Sequence, residues 1–121
     1  MFNIAETLDG QLRTAGIDVI SVSIGDIADK STWKIQPTDL QSASQSTIDA
    51  FDIPAEETAW QWYAVRTSRD LLLYSCDWVM LTGAPLDASE VTAWATYRQD
   101  LRDVPDDQSD PYNILWPTPP S

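Results

Sequence analysis

Histidine is absent from this sequence, and cysteine occurs once, as Cys76. Without imidazole there is no Ser-His or Cys-His nucleophile pair and no histidine metal ligand. A single thiol can neither close an intrachain disulfide nor build a thiolate zinc site. Glycine is nearly as scarce: the four, at positions 10, 16, 25 and 83, fit neither a GxGxxG nor a Walker loop. Bases are few as well, seven Lys and Arg against nineteen Asp and Glu, for a net charge of −12. The acids fall in both halves, eight in residues 1–54 and eleven in residues 55–121. Such a surface repels phosphate backbones and anionic lipid, so neither nucleic acid nor a membrane is an expected partner. Acidic mimicry of DNA is the one nucleic-acid-related reading that the charge leaves. No run approaches the roughly 18 apolar residues of a membrane span, and "MFNIAETLDG" has neither the basic start nor the apolar core of a signal peptide. The densest carboxylates, Asp106, Asp107 and Asp110 in "DDQSD", lack the spacing and the central glycine of an EF-hand and read as a solvated loop. The expectation is a cytosolic protein that is not an enzyme and carries no cofactor or metal.

What the sequence does have is large amphipathic rings, six Trp and four Tyr against two Phe. Rings of this kind serve cores and interfaces alike. The chain, at 121 residues, can bury one real core but is short for two. In the first half, Ile4, Leu8, Leu12 and Ala15 fall at helical spacing, with Asn3 placed to cap the start and Gly16 the end. Gly10 weakens that helix enough to shorten or break it. "IDVISVSIGD" changes to a period of two with β-branched residues, and "STWKIQP" supplies a return strand with Trp33 and Ile35 on one face. A loop of several residues joins them. "TDLQSASQSTIDAF" returns to helical spacing at Leu40, Ala43, Thr47, Ile48 and Phe51, with Thr38 or Asp39 as cap.

The second half reads as two helices. Asp52 and Pro54 suit the start of the first, and Glu56 and Glu57 suit its positive end. Trp60, Tyr63, Thr67, Leu71, Tyr74 and Trp78 then fall three or four apart, which predicts a continuous buried seam. Gly83 and Pro85 end it. Asp87 and Glu90 open the last helix with a capping-box pattern, and Val91, Trp94, Tyr97 or Arg98, and Leu101 continue it to Val104. The short connection makes the pair an antiparallel hairpin. Asp77 and Arg98 can then meet across it, where a guanidinium fork would fix the register. The fold expected is α+β: an N-terminal αββα unit over 1–53, then a helical hairpin over 54–121 with an extended Pro-rich strap.

"RDLLLYSCDWVML…APLDASEVTAWATYRQDLRDV…ILWPTPPS" resembles the phage tail assembly chaperone family of tailed bacteriophages. The resemblance rests on Arg69, Leu71, Leu72, Asp77, Trp78, Ala84, Pro85, Trp94, Ala95, Tyr97, Arg98, Gln99, Leu101, Arg102, Asp103, Trp116, Pro117 and Pro119. Related tail fibre assembly proteins share the shorter W-x-x-Y-R…W-P-x-x-P ending. Cys76 departs from the family, which often has Thr or Ala before the Asp. "VSIGDIADKSTWKI" also looks like a segment found ahead of this domain in phage proteins. The resemblance implies a chaperone that binds a tail fibre or receptor-binding protein, a trimeric partner, and aids its folding, trimerisation or attachment. It would work in the host cytoplasm. The alternative is a permanent structural component of the virion, retained on the tail fibre or tail tip. Arg69, Asp77, Trp78, Trp94, Tyr97, Arg98, Trp116 and Pro117 are the structural motif that the resemblance carries.

A β-rich fibre exposes strand edges before it assembles, and the hairpin at 17–36 offers an edge on which to receive one. Ile20, Val22, Trp33 and Ile35 are the candidate partner-binding residues there. The "NILWPTPPS" segment contains a PxxP spacing but no flanking base, which weakens a reading as a polyproline ligand. Packing of Ile114 and Trp116 on the Trp78, Trp94 and Tyr97 region, worth roughly 2–3 kcal/mol for the indole, is the expectation instead.

Overall fold

The computed structural model describes residues 1–120. Its elements are helix α1 (Ile4–Thr14), strands β1 (Ser21–Asp26) and β2 (Asp29–Gln36), a 3-10 turn (Thr38–Leu40), helices α2 (Gln41–Ala50) and α3 (Ile53–Ser75), a second 3-10 turn (Asp77–Met80), and helix α4 (Ala88–Asp107). The protein is therefore α+β, four helices with one two-stranded antiparallel sheet among the described residues. It divides into two compact units, Met1–Glu57 and Thr58–Ser121.

In the first unit, Asn3 caps α1, its Oδ1 accepting from Glu6 N at 3.0 Å. The helix runs unbroken through Gly10, because Leu8 and Leu12, both fully buried, anchor either side of it. Gly16 leaves the helix at φ 85°, the conformation its missing Cβ allows. The hairpin turn is tighter than the sequence suggests: Asp26 stands opposite Asp29, with only Ile27 and Ala28 between. Thr32 explains the tightness. Its hydroxyl accepts from Asp26 N and donates toward the carbonyls of Asp26 and Asp29. Gly25 lets it in, since a Cβ there would stand 2.9 Å from Thr32 Cβ.

Trp33 is the centre of this unit's core. It is fully buried with Leu8, Leu12, Ile35 and Ile48, and Val19 and Phe51 close the cluster. Its indole N–H donates to Asp26 O at 3.0 Å, and its ring meets Phe51 edge-on at 5.7 Å. Lys30 lies over the same ring and donates to the carbonyls of Asp49 and Phe51, so the cation sits on the negative end of α2. In α2 the inward position belongs to Ser44 rather than to Ala43, which is exposed. Ser44 turns its hydroxyl back to Leu40 O, so its burial leaves no unpaired group. No side chain caps α2; a 3-10 turn leads into it instead.

The second unit is built from α4 and the part of α3 that follows Glu57. Asp52 Oδ1 accepts from Ala55 N at the start of α3. The Asp87 capping box is complete, with Glu90 N donating to Asp87 and Asp87 N donating to Glu90. The Glu90 N–H, then the Ser89 hydroxyl, hold the Asp87 carboxyl below the usual carboxylate range. Helix α4 continues past Val104 through Pro105 to Asp107, with Gln108 N donating to Val104 O. Trp94, Tyr97 and Leu101 of α4 meet Leu72 and Leu73 of α3 and Cys76 just beyond it. Trp78 touches Trp94, whereas Leu73 is reached by Arg98. Partner numbers fall on one helix as they rise on the other, which is the mark of an antiparallel pair.

Candidate protein-binding surfaces

The hairpin has two outer edges, and they are treated differently. On β2, Ile35 N donates to Gln41 Oε1 at 2.7 Å and Trp33 O accepts from Gln41 Nε2 at 3.0 Å. One side-chain amide thus takes the place of a neighbouring strand and closes that edge. These bonds also fix the ladder. Because Trp33 and Ile35 point their backbone groups outward, their partners Ile24 and Val22 form non-hydrogen-bonded pairs with them. The N–H and C=O groups of Val22 and Ile24 therefore face outward on β1. That edge carries no Lys and no Pro, two of the usual protections.

The four candidate binding residues on the hairpin separate accordingly. Trp33 and Ile35 are fully buried, so they build the core and cannot serve as surface anchors. Val22 is half-buried with its side chain packed on the same core. Ile20, just ahead of β1, is 77% exposed while neighbouring Val19 is 1% exposed. The period-of-two pattern shifts by one residue where the chain enters the strand.

On α3 most of the expected buried seam is exposed, and only Trp60 of it is half-buried. Tyr63 is 67% exposed, Leu71 66% and Tyr74 78%, with Trp78 at 45% beyond the helix end. The face that packs instead carries Val65, Leu72, Leu73 and Cys76. The helix is apolar on two sides, and a single partner helix can cover only one of them.

Arg98 joins the two helices. Its Nη1 donates to Leu73 O at 2.8 Å and contacts Cys76 Sγ at 3.1 Å, and its Nη2 donates to Asp77 Oδ1 at 2.8 Å. Arg98 is 7% exposed. Burial opposes its charge, but the contacts to Cys76 and Asp77 outweigh that and raise the guanidinium pKa. Arg69 pairs only with its neighbour Asp70 and takes no part in this junction.

After α4 the chain turns on Asp110, whose carboxylate accepts from Tyr112 N and Asn113 Nδ2. Gln108 then holds Leu115 by both backbone groups, at 2.9 and 2.8 Å. Ile114 and Trp116 line a cleft of about 280 Å³ with Gln61, Ala64, Val65 and Ser68 of α3. This is the far end of the hairpin from the expected Trp78, Trp94 and Tyr97. Pro120 is the residue that lines the cleft beside Trp78 and Trp94. Length explains the difference. From Trp94 to the end of α4 is about 20 Å at 1.5 Å per residue, and an extended return at about 3.1 Å per residue needs about six residues to cover it. The return begins only after the turn that ends at Asn113, so Trp116, three residues on, stops short.

Among the described residues, no group of three or more His, Cys, Asp or Glu could hold a metal ion, and no helix is long and apolar enough to cross a membrane. The protein is a small α+β chain with an open outer edge on β1 and an exposed apolar face on α3. The family model described as phage tail assembly chaperone protein matches residues 62–121, and by that match the chain belongs to the phage tail assembly chaperone family. The family is one of assembly chaperones rather than enzymes, and it gives this chain a role in phage tail assembly with a tail protein as partner. No curated protein and no solved structure matches the chain.

Proposed function

We propose that this protein binds a tail fibre or receptor-binding protein during assembly and keeps its apolar surface covered until the fibre trimer forms. The observation that carries this reading is the exposed stripe Tyr63, Leu71, Tyr74 and Trp78, which lies within the matched segment. A solvent-facing apolar stripe is a site for protein contact, and an acidic chain that supplies it keeps an aggregation-prone partner soluble. Residues 54–121 are the chaperone-like part and residues 1–53 a second contact region. The work is done in the host cytoplasm.

Co-expression with the fibre protein encoded beside this gene is the test. The double substitution Leu71→Asp and Tyr74→Asp is expected to reduce soluble trimeric fibre. Each change should weaken binding about tenfold, the 1.4 kcal/mol of a lost apolar anchor. Because both side chains are exposed, the melting temperature should stay within the range of ordinary surface substitutions. Unchanged fibre trimerisation would refute the reading. Stoichiometric copies in purified virions, counted by mass spectrometry, would replace the transient chaperone with a permanent tail component.

The segment 108–120 is proposed to act as a strap that closes the hairpin, supported by the Gln108 clamp and by Ile114, Trp116 and Pro120 against the helices. Deleting everything after Asn113 is expected to cost the second unit about 2 kcal/mol, read as a lowered midpoint in urea. An unchanged midpoint would show that the segment is not a strap.

A further inference from the structure

We infer that the outer edge of β1 receives an extended strand from the partner protein, and that this strand carries a Lys or Arg two residues from a large apolar side chain, both turned toward α1. The inference rests on the chaperone reading for the source of the strand but not for its chemistry.

The argument starts from the backbone. Val22 and Ile24 offer two N–H and two C=O groups in the arrangement that a third strand needs, while Gln41 has already closed the opposite edge. An edge left open while the opposite one is closed by a dedicated side chain is available for strand addition. The side-chain space agrees. Two clefts lie along β1 on the α1 side. One is lined by Val22, Ala5, Glu6 and Asp9. The other is lined by Ile24 with the apolar Phe2, Ile4, Ala5, Ile27 and Ile53 and with Asn3 and Glu57. A strand added about 4.8 Å from β1 sends alternate side chains to this face about 7 Å apart, the same two-residue spacing that separates Val22 from Ile24. The first cleft is bordered by the carboxylates Glu6 and Asp9, and the second is apolar apart from Asn3 and Glu57, which sets the pair of residues that fits. Asp9 already holds Arg13 at 2.9 Å, so Glu6 is the carboxylate left to meet an incoming cation.

Charge argues against a second copy of this chain as the occupant. Pairing β1 with β1 would bring together two units that each carry Asp26 on the strand and Glu6 and Asp9 in the cleft beside Val22. A basic strand has no such repulsion.

The test uses the full chain and synthetic peptides. The probe is an eight-residue peptide alternating threonine with valine, lysine, isoleucine and valine, made in both sequence orders, together with versions carrying glutamate for lysine. Amide exchange by NMR is expected to show Val22 and Ile24 unprotected in the free protein and Ser23 protected. The lysine peptide, in one of the two orders, should slow exchange at Val22 and Ile24. The glutamate version should bind about tenfold more weakly or less. Val22→Pro removes the outward N–H, together with a half-buried side chain, and should abolish binding. Ile20→Lys, at an exposed position, serves if that variant does not fold and should weaken the lysine peptide several-fold. The inference is overturned if no lysine peptide protects these amides at millimolar concentration, if the glutamate peptides bind equally well, or if the Pro and Lys variants bind like the parent. Protection of Val22 and Ile24 that rises with protein concentration alone would assign the edge to a second copy and overturn it too. None of these readouts involves the fibre. Peptide binding with no effect on fibre assembly sinks the chaperone reading alone, and normal fibre assistance without peptide binding sinks the edge inference alone.

Discussion

Trp33→Ala is expected to unfold the first unit. Replacing a fully buried indole by a methyl group costs about 3–5 kcal/mol, the lost transfer energy plus the cavity left behind. Three further contacts go with it: the hydrogen bond to Asp26 O, the edge-on contact with Phe51, and the ring beneath Lys30. A unit of 57 residues buries too little surface to hold more than a few kcal/mol in reserve, so the loss removes most of its stability. Hydrogen exchange at Ile35 and Ile48, both fully buried, reads the effect directly. Trp33→Phe separates the causes. It keeps most of the apolar burial and loses the indole N–H, so it should cost less than half as much. If Trp33→Ala left these amides protected, Trp33 would not be the centre of the core.

Arg98→Ala is the second large effect, a loss of about 3 kcal/mol in the second unit. The guanidinium is buried and serves three partners on α3 and the turn after it. Removing it opens a space beside Cys76 and strips Leu73 O of a charged donor. Its Nε has no partner, so the site is not an ideal ion cage, and an apolar side chain of similar length should recover part of the loss. Arg98→Met is therefore expected to fall between the parent and Arg98→Ala. Asp77→Asn should cost less than Arg98→Ala, because the Asp77 side chain is 58% exposed and water replaces much of what it gives. The urea midpoints of the three variants, followed by exchange at Tyr97 and Leu101, test the order. An Asp77→Asn loss equal to that of Arg98→Ala would move the weight from the buried hydrogen bonds to the ion pair.

Local rules account for much of this fold. Asn3, Asp52 and Asp87 each accept a backbone N–H at the start of the helix that their side chains mark. The change from helical spacing to alternation placed a hairpin between two helices, as found. Tertiary packing decided what those rules leave open. Trp33 and Ile35 pattern equally well as core or as surface anchors on a strand, and only the cover of α1 and α2 makes them core. Nothing in the sequence near Gln41 marks it as the group that closes β2, since its partners lie six and eight residues back along the chain.

The helix α3 shows the boundary most clearly. Its sequence determined that a long helix forms and that it is apolar on more than one side. It could not determine which side is buried, because Trp60, Tyr63, Leu71, Tyr74 and Trp78 make as good a stripe as Val65, Leu72 and Cys76. Packing against α4 chose the second, since the Arg98 junction holds Leu73 and Cys76 to that helix. Of the stripe that patterning reads as core, Tyr63, Leu71, Tyr74 and Trp78 were left facing solvent. Residue spacing records which side chains share a face; only the position of a partner decides which face is buried.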